Sequence, residues 1–378
     1  MSILYSASEG YVINHELHLR YAYKHSREND SVCNLEPHSD IFKILSPYDS
    51  GSKDCNYSPK KKLKNSAGRE FRIQSSHVNN FQTEKIKNVF HSLLLKAKSE
   101  GFFKEPVPLI PTKNIQAKEK ADTFYKESSK YSKSLFQGCN NLSHPVIEKV
   151  DNERYVFPSM CRFFCQDVIK LKEILVPLNV KYDLIVLDPP WWNKYIRRKK
   201  SKCTEASYQM MYNDSLKNLP IAELLSPDAL VAVWCTNSDQ NINALLTEVF
   251  PDWGVKYVGT WIWLKVTNSG EPICAFADPP KKQPYERIIF GCNSEKSRCY
   301  NVPEDEKIII SVPSAIHSHK PPLSDVLSSY LPPEPNCLEL FARYLLPNWT
   351  SWGNEVLKLQ HISLFKENPS EKTTSAVT

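Results

Sequence analysis

Beyond Val146 the chain alternates short apolar runs with amphipathic ones, and that alternation leaves few folds open. Residues 183–187, 229–234, 255–264, 287–291, 307–312 and 336–341 read as strands. Between them, residues 167–176, 214–225, 238–250 and 322–331 read as helices. Strands separated by helices of this length are joined by right-handed crossovers into a largely parallel sheet covered on both faces. The fold class is therefore α/β. In such sheets ligands sit at the carboxyl ends of strands, which selects the loops to examine.

The preceding 145 residues read differently. Up to about Ser76 the sequence is rich in Ser, Asn, Asp and Lys without sustained periodicity, as expected of a loosely ordered or partly disordered region. Thr83 is placed to cap a helix over 83–100, with Ile86, Val89, Phe90, Leu93 and Leu94 on one face and Gly101 as its stop. The predicted organisation is an N-terminal accessory region over 1–145, a main domain over 146–363 and a polar tail over 364–378.

With 27 prolines against 10 glycines, much of the chain should be punctuated loop rather than repeat. No basic segment followed by a long apolar one opens it, and no run of about 18 apolar residues occurs, so neither secretion nor a membrane span is expected. The 11 cysteines form no C-x-x-C pair, which fits reduced thiols in the nucleus or cytosol. A formal charge of +6 is too modest to argue for nucleic acid by itself. The run Lys60-Lys61-Lys62-Leu63-Lys64 reads equally as an import address, a phosphate-binding arm or a solvated charge run.

The buried-strand pattern Tyr182-Asp183-Leu184-Ile185-Val186-Leu187 delivers Asp188-Pro189-Pro190-Trp191-Trp192 to a strand's carboxyl end. Two prolines fix φ and remove two backbone donors, leaving rigid carbonyls and a carboxylate that can only accept hydrogen bonds. Adenine suits that environment. Its exocyclic amine donates twice, and its ring can stack on Trp191 or Trp192 for about 1–3 kcal/mol. That amine is a poor nucleophile because its lone pair is delocalised into the ring. Accepting its N–H bonds favours the localised form, so Asp188 is expected to orient rather than deprotonate, a positioning effect. The second copy, Asp278-Pro279-Pro280-Lys281, follows a weak segment, lacks an aromatic and reads as an ordinary turn.

Asp-Pro-Pro-Trp after an apolar strand resembles the signature of the MT-A family of adenine N(6)-methyltransferases. Segments 267–271, 311–313, 317–323, 338–343 and 349–358 are similar to its methyltransferase-like protein 4 branch, and the resemblance runs from about Tyr155 to Gln360. It implies a Rossmann-like methyltransferase domain using S-adenosyl-L-methionine. Asp188, with Pro189, Pro190 and Trp191, would form the catalytic motif, and Asp188 would also meet the cofactor's amino group. Lys320 would hold the methionyl carboxylate; Arg343, Asn354 and Glu355 the ribose; Asp167 and Val168 the cofactor's adenine. Glu339 belongs to the same cofactor site, orienting Arg343. No G-x-G-x-x-G loop is present, and the resemblance implies that residues 339–343 replace it. Leu345 and Leu346 depart from the family pattern where the messenger-RNA enzymes carry polar contacts, and residues 279–286 hold one extra residue.

Three functions compete: methylation of adenosine in RNA, with small nuclear RNA implied by the branch; the same chemistry on DNA adenine; and a silent module that grips nucleic acid. All the acidic and basic motif residues are present, which favours activity, without an obligatory protein partner. Trp192, Lys194, Arg197, Arg198, Lys199 and Lys200 follow the catalytic motif and are expected to meet nucleic acid, the cations holding phosphates. His317 and His319 lack a Cys, Asp or Glu partner, so no metal site is assigned. Trp234, Trp253, Trp261 and Trp263 read as core packing.

Overall fold

The computed structural model describes residues 2–29, 31–48, 67–105, 114–128, 136–191, 211, 213–277, 282–293 and 300–368. Its strands are β1 (Ile3–Ala7), β2 (Gly10–Ile13), β3 (Ser26–Glu28), β4 (Ser31–Pro37), β5 (Phe136–Asn140), β6 (Val146–Val150), β7 (Glu153–Phe157) and β8 (Cys161–Cys165). They continue with β9 (Tyr182–Leu187), β10 (Leu225–Cys235), β11 (Val255–Lys265), β12 (Tyr285–Asn293), β13 (Ile308–Ser311), β14 (Cys337–Leu340), β15 (Trp349–Trp352) and β16 (Phe365–Asn368). Eleven of them form one sheet in the order β1-β2-β13-β11-β12-β10-β9-β14-β15-β8-β5, and β16-β4-β3-β6-β7 form a smaller one. All six strands expected from periodicity are present, with ends shifted by a few residues.

The large sheet is mixed rather than largely parallel. The stretch β10-β9-β14-β15-β8 is parallel throughout. The strand β12 runs against both of its neighbours. The physical reason is the connection: among its described residues the segment from β11 to β12 holds no crossover helix, so the chain reverses direction.

Alternation along each strand separates two faces. On β9, Leu184 and Val186 join one core while Ile185 and Leu187 join the other. Leu230, Ala232 and Trp234 of β10 go to the first, Val231, Val233 and Cys235 to the second. Helix α3 (Ile115–Glu127) and Ser324–Leu327 cover the first face; Leu171–Ile174, Ile221–Leu224 and the run from Asp239 to Asp252 cover the second. Trp253, Trp261 and Trp263 are buried and their indole N–H groups donate to Leu216 O, Glu304 O and Ser311 Oγ, as packing residues should.

The N-terminal expectation is corrected for residues 2–48. They form β1, β2, helix α1 (His15–Ala22), β3 and β4, and β2 lies parallel beside β13 in the large sheet. Asn14 caps α1 by accepting from Leu17 N at 2.9 Å. These pieces are too short for periodicity to register, and the strands that tie β2 and β4 into the sheets, β13 and β16, lie some 300 residues away. The expected helix over 83–100 is longer: α2 spans Ala67–Ser99, so Thr83 lies inside it rather than at its cap. Ile86, Phe90, Leu93 and Leu94 are buried against β2, β11 and β13, and Gly101, at φ 77°, follows its end. Residues 365–368, read as polar tail, pair as β16 with β4. The basic run Lys60–Lys64 and residues 369–378 lie outside the described residues.

Two predictions concern this N-terminal edge. Gly10 has φ 150°, and a Cβ there would sit 2.0 Å from the carbonyl oxygen of Ile308. Gly10→Ala should therefore push β2 off β13 and lower stability by roughly 1–3 kcal/mol, measured by calorimetry. An unchanged melting temperature would mean that the pairing contributes nothing.

Beneath the same edge the rings of His15 and His319 lie 4.3 Å apart, and none of their four nitrogens has a hydrogen-bond partner. Burial brings His319 down to about 3 and His18 to about 4, from the ordinary 6.5. These rings stay neutral in the fold while the unfolded chain protonates near 6.5. His15 is likewise held well below the ordinary value by burial, so stability is full above pH 6.5 and is lost as pH falls from there toward about 3. Urea midpoints should drop across that window, and His15→Phe should flatten the drop. A variant slope equal to the parent's would clear His15 of the effect.

Candidate active site

Five strands, β8, β15, β14, β9 and β10, point their carboxyl ends the same way, so the loops that follow them meet on one edge of the sheet. Asp188 leaves β9, its N–H directed at Leu340 O at 3.4 Å. The proline turn is closed by Trp191 N donating to Pro189 O at 2.8 Å and Met211 N donating to Pro190 O at 3.0 Å. Each carbonyl keeps a second lone pair. Trp191 is only 7% exposed, and its indole N–H donates to Trp234 O at 2.8 Å. The expected stacking of a base on Trp191 is corrected: this ring anchors the turn to the core. Trp192, Lys194, Arg197, Arg198, Lys199 and Lys200 lie outside the described residues.

Asp188 Oδ2 accepts from the Ser318 hydroxyl at 3.0 Å and pairs with Lys320 Nζ at 3.3 Å. Ser318 has φ 59°, an uncommon conformation for a side-chain-bearing residue, in the loop that follows β13. Lys320 Nζ also pairs with Glu286 Oε2 at 2.8 Å, and Glu286 Oε1 pairs with Lys265. Burial by itself would depress Lys320, but Asp188 and Glu286 hold its ammonium above the usual lysine range. Burial would likewise raise Glu286, yet Lys320 and Lys265 hold its carboxylate well below the usual range.

Around β14 the arrangement differs from expectation. Arg343 donates from Nε and Nη2 to Glu355 Oε2 at 3.0 and 2.8 Å, and from Nη1 to His317 O at 2.9 Å. Glu355, rather than Glu339, orients Arg343. Glu339 is 7% exposed, and its Oε2 has no hydrogen-bond partner. Burial, with the nearby charge of Asp188, pushes its carboxyl group up to about 8, so it is mostly protonated at neutral pH.

Asp167 follows β8 and caps the next turn, accepting from Ile169 N at 3.0 Å. Its Oδ2 accepts from Asn354 Nδ2 at 3.4 Å, and Trp352 Nε1 donates to its carbonyl at 3.1 Å. Val168 sends its side chain into the core. Gly353 lets the loops after β14 and β15 touch: a Cβ there would lie 2.7 Å from Ala342 O. The structure therefore brings Asp167, Asp188, Lys320, Glu339, Arg343, Asn354 and Glu355 to one edge of the sheet.

These donors fit an adenosylmethionine-type molecule. An ammonium reaching the orphaned, buried Glu339 Oε2 would draw that carboxyl back to its charged form, Lys320 suits a carboxylate, and Arg343 with Glu355 a pair of hydroxyls. Sequence reasoning missed Lys265, Glu286 and Ser318. A cation closing the apolar strand β11 at its carboxyl end was a usable signal for Lys265. Glu286 escaped because its strand was taken to begin one residue later.

The MT-A70 family model matches residues 182–355. The N(6)-adenine-specific methyltransferase METTL4 of Mus musculus is 39% identical over 235 residues, 60% of this chain and 48% of that protein. METTL4 of Homo sapiens is 38% identical over the same shares. The chain thus spans about half the length of these two proteins. The N6-methyladenosine RNA methyltransferase MTA1 of Pyricularia oryzae is 32% identical over 272 residues, 71% of this chain and 70% of that protein. With the motif on the right strand end and this coverage, the chain belongs to the MT-A70 family, on its METTL4 branch.

Proposed function

We propose that the chain transfers a methyl group from S-adenosyl-L-methionine to the exocyclic amine of adenosine in RNA, small nuclear RNA being the class that its branch suggests. The observation that carries this reading is Asp188, an acceptor at the carboxyl end of a central parallel strand, flanked by Lys320 and the orphaned carboxyl of Glu339. The large sheet, parallel over the site and covered on both faces, fits a Rossmann-like methyltransferase domain.

When bound, the cofactor supplies a methyl group activated by its sulfonium. The chain's own groups position the partners. The Asp188 carboxylate and the carbonyls of Pro189 and Pro190 accept the amine's N–H bonds and localise its lone pair. Asp188 is fixed for this by Ser318. Lys320 is assigned to the methionyl carboxylate, Arg343 with Glu355 and Asn354 to the ribose, Asp167 and the Val168 backbone to the cofactor's adenine, and Asp188, joined by Glu339, to the cofactor's amino group. Aligning the amine with the methyl carbon accounts for the acceleration, with no base required to remove a proton first.

RNA is preferred to DNA because the relative of which the chain covers 70% is named an RNA methyltransferase. A Caenorhabditis elegans relative named a DNA N6-methyl methyltransferase, 35% identical, covered over 61% of its length, keeps the DNA alternative in view. The cations at Lys194 and 197–200 are assigned to phosphates, and Trp192 to the target base. Among the described residues no helix is long and apolar enough to cross a membrane. Residence in the nucleus or cytosol, and action without an obligatory protein partner, belong to the same proposal.

Purified chain incubated with methyl-labelled cofactor and matched RNA and DNA oligonucleotides should yield N6-methyladenosine in RNA, read by mass spectrometry. Asp188→Asn should reduce it by roughly 10²–10³-fold at unchanged melting temperature, as for loss of one positioned polar group. Label in DNA alone selects the alternative; label in neither refutes the proposal. Arg343→Ala should weaken cofactor binding by about 1.5–3 kcal/mol, the worth of charge-assisted hydrogen bonds. Calorimetric affinity equal to the parent's removes Arg343 from the cofactor site.

A further inference from the structure

Lys265 closes β11, which runs in the same direction as β9, and Glu286 enters β12, which runs against it, so both stand on the active edge. Lys265 is fixed at that place. Its N–H donates to Pro284 O at 2.9 Å, its carbonyl accepts from Ile273 N at 3.0 Å, and its Nζ lies 4.4 Å from the centre of the Trp263 ring. Glu286 divides its two oxygens, Oε1 to Lys265 and Oε2 to Lys320. The result is a line of alternating charges, Lys265, Glu286, Lys320 and Asp188, in which each group is largely buried and the four sum to zero.

We propose that Lys265 is a positioning residue of the cofactor site: by occupying one oxygen of Glu286, it keeps Lys320 available to a ligand carboxylate. This rests on the cofactor reading above. A ligand carboxylate competes with Asp188 and Glu286 for the same ammonium. When Lys320 turns to it, Lys265 still neutralises Glu286, so no uncompensated charge is left buried there. Asp188 is the carboxylate released, free to accept the N–H bonds of the target amine. Without Lys265 both carboxylates depend on Lys320 alone, Glu286 takes it with both oxygens, and an incoming anion meets a site carrying one extra negative charge. Lys265 therefore tunes a step made by Lys320 without touching the ligand itself.

Two ligands separate this from a merely structural role. S-adenosylhomocysteine carries the amino-acid carboxylate; 5′-methylthioadenosine keeps the nucleoside thioether and lacks it. In calorimetry on the full chain, Lys265→Met should weaken S-adenosylhomocysteine about tenfold to a hundredfold, an effect of the size of one charge-assisted contact. Binding of 5′-methylthioadenosine should stay within about twofold, and Lys265→Arg should restore the parent values. The double variant Lys265→Met with Glu286→Gln removes one charge of each sign and should bind S-adenosylhomocysteine within about threefold of the parent, even if the single variant folds poorly. Equal weakening of both ligands, unchanged S-adenosylhomocysteine binding in Lys265→Met, or failure of the double variant to recover would overturn the proposal. A parent chain that binds neither ligand sinks the cofactor reading instead, a result visible before any variant is made.

Discussion

Placing four charged side chains together at the partly enclosed edge of a sheet is tolerable only if they neutralise one another, and the active edge of this protein is arranged to do so. Lys265, Glu286, Lys320 and Asp188 come from four chain segments that the sequence keeps far apart. Desolvating any one of them alone would cost several kcal/mol. Strand register sets the meeting point: Lys265 ends β11 one residue beyond Leu264, which is level with Tyr285, the neighbour of Glu286, and Asp188 follows Leu187, which is level with Val233 of β10. The ladder that builds the core therefore also sets the charge order of the site.

The same edge holds groups whose surroundings do not satisfy them. Glu339 is buried on a core strand with an unpartnered oxygen, and its protonation at neutral pH is the fold's response to that burial. Phe341, one residue beyond β14, sits at φ 62°, uncommon for a bulky side chain, where the chain turns toward Arg343. Surrounding structure must hold such features in place, and here the parallel strands on both sides of β14 do it. The site is stiff because its frame is core, and its unsatisfied groups are the ones a ligand can complete.

Trp191 shows how a motif residue can be legible and its role misread. Its type and position after Asp188 were evident in the chain order, and an aromatic beside an acceptor suggested stacking. The structure instead turns the ring inward and engages its N–H with Trp234 O, so that it fastens the proline turn. Arg343 and Glu339 teach a related lesson. The family resemblance paired them, yet Glu339 is buried within β14 while Arg343 lies beyond the strand, where Glu355 from the next loop reaches it.

Local physics written in the chain determined the alternation of strands and helices, the strand that ends at Asp188, the apolar face of α2 and the packing tryptophans. Each depends on neighbours within a few residues, and apolar periodicity or φ restriction reports it directly. Tertiary structure alone decided the reversal of β12, the entry of β2 beside β13, the partner of Arg343 and the line of charges from Lys265 to Asp188. Those contacts join residues from 12 to some 300 positions apart, and only the folded strand order brings them within bonding distance. Strands as short as β1 and β2 carry too little pattern to announce themselves; what stabilises them is the edge of β13, which exists only once the sheet has formed.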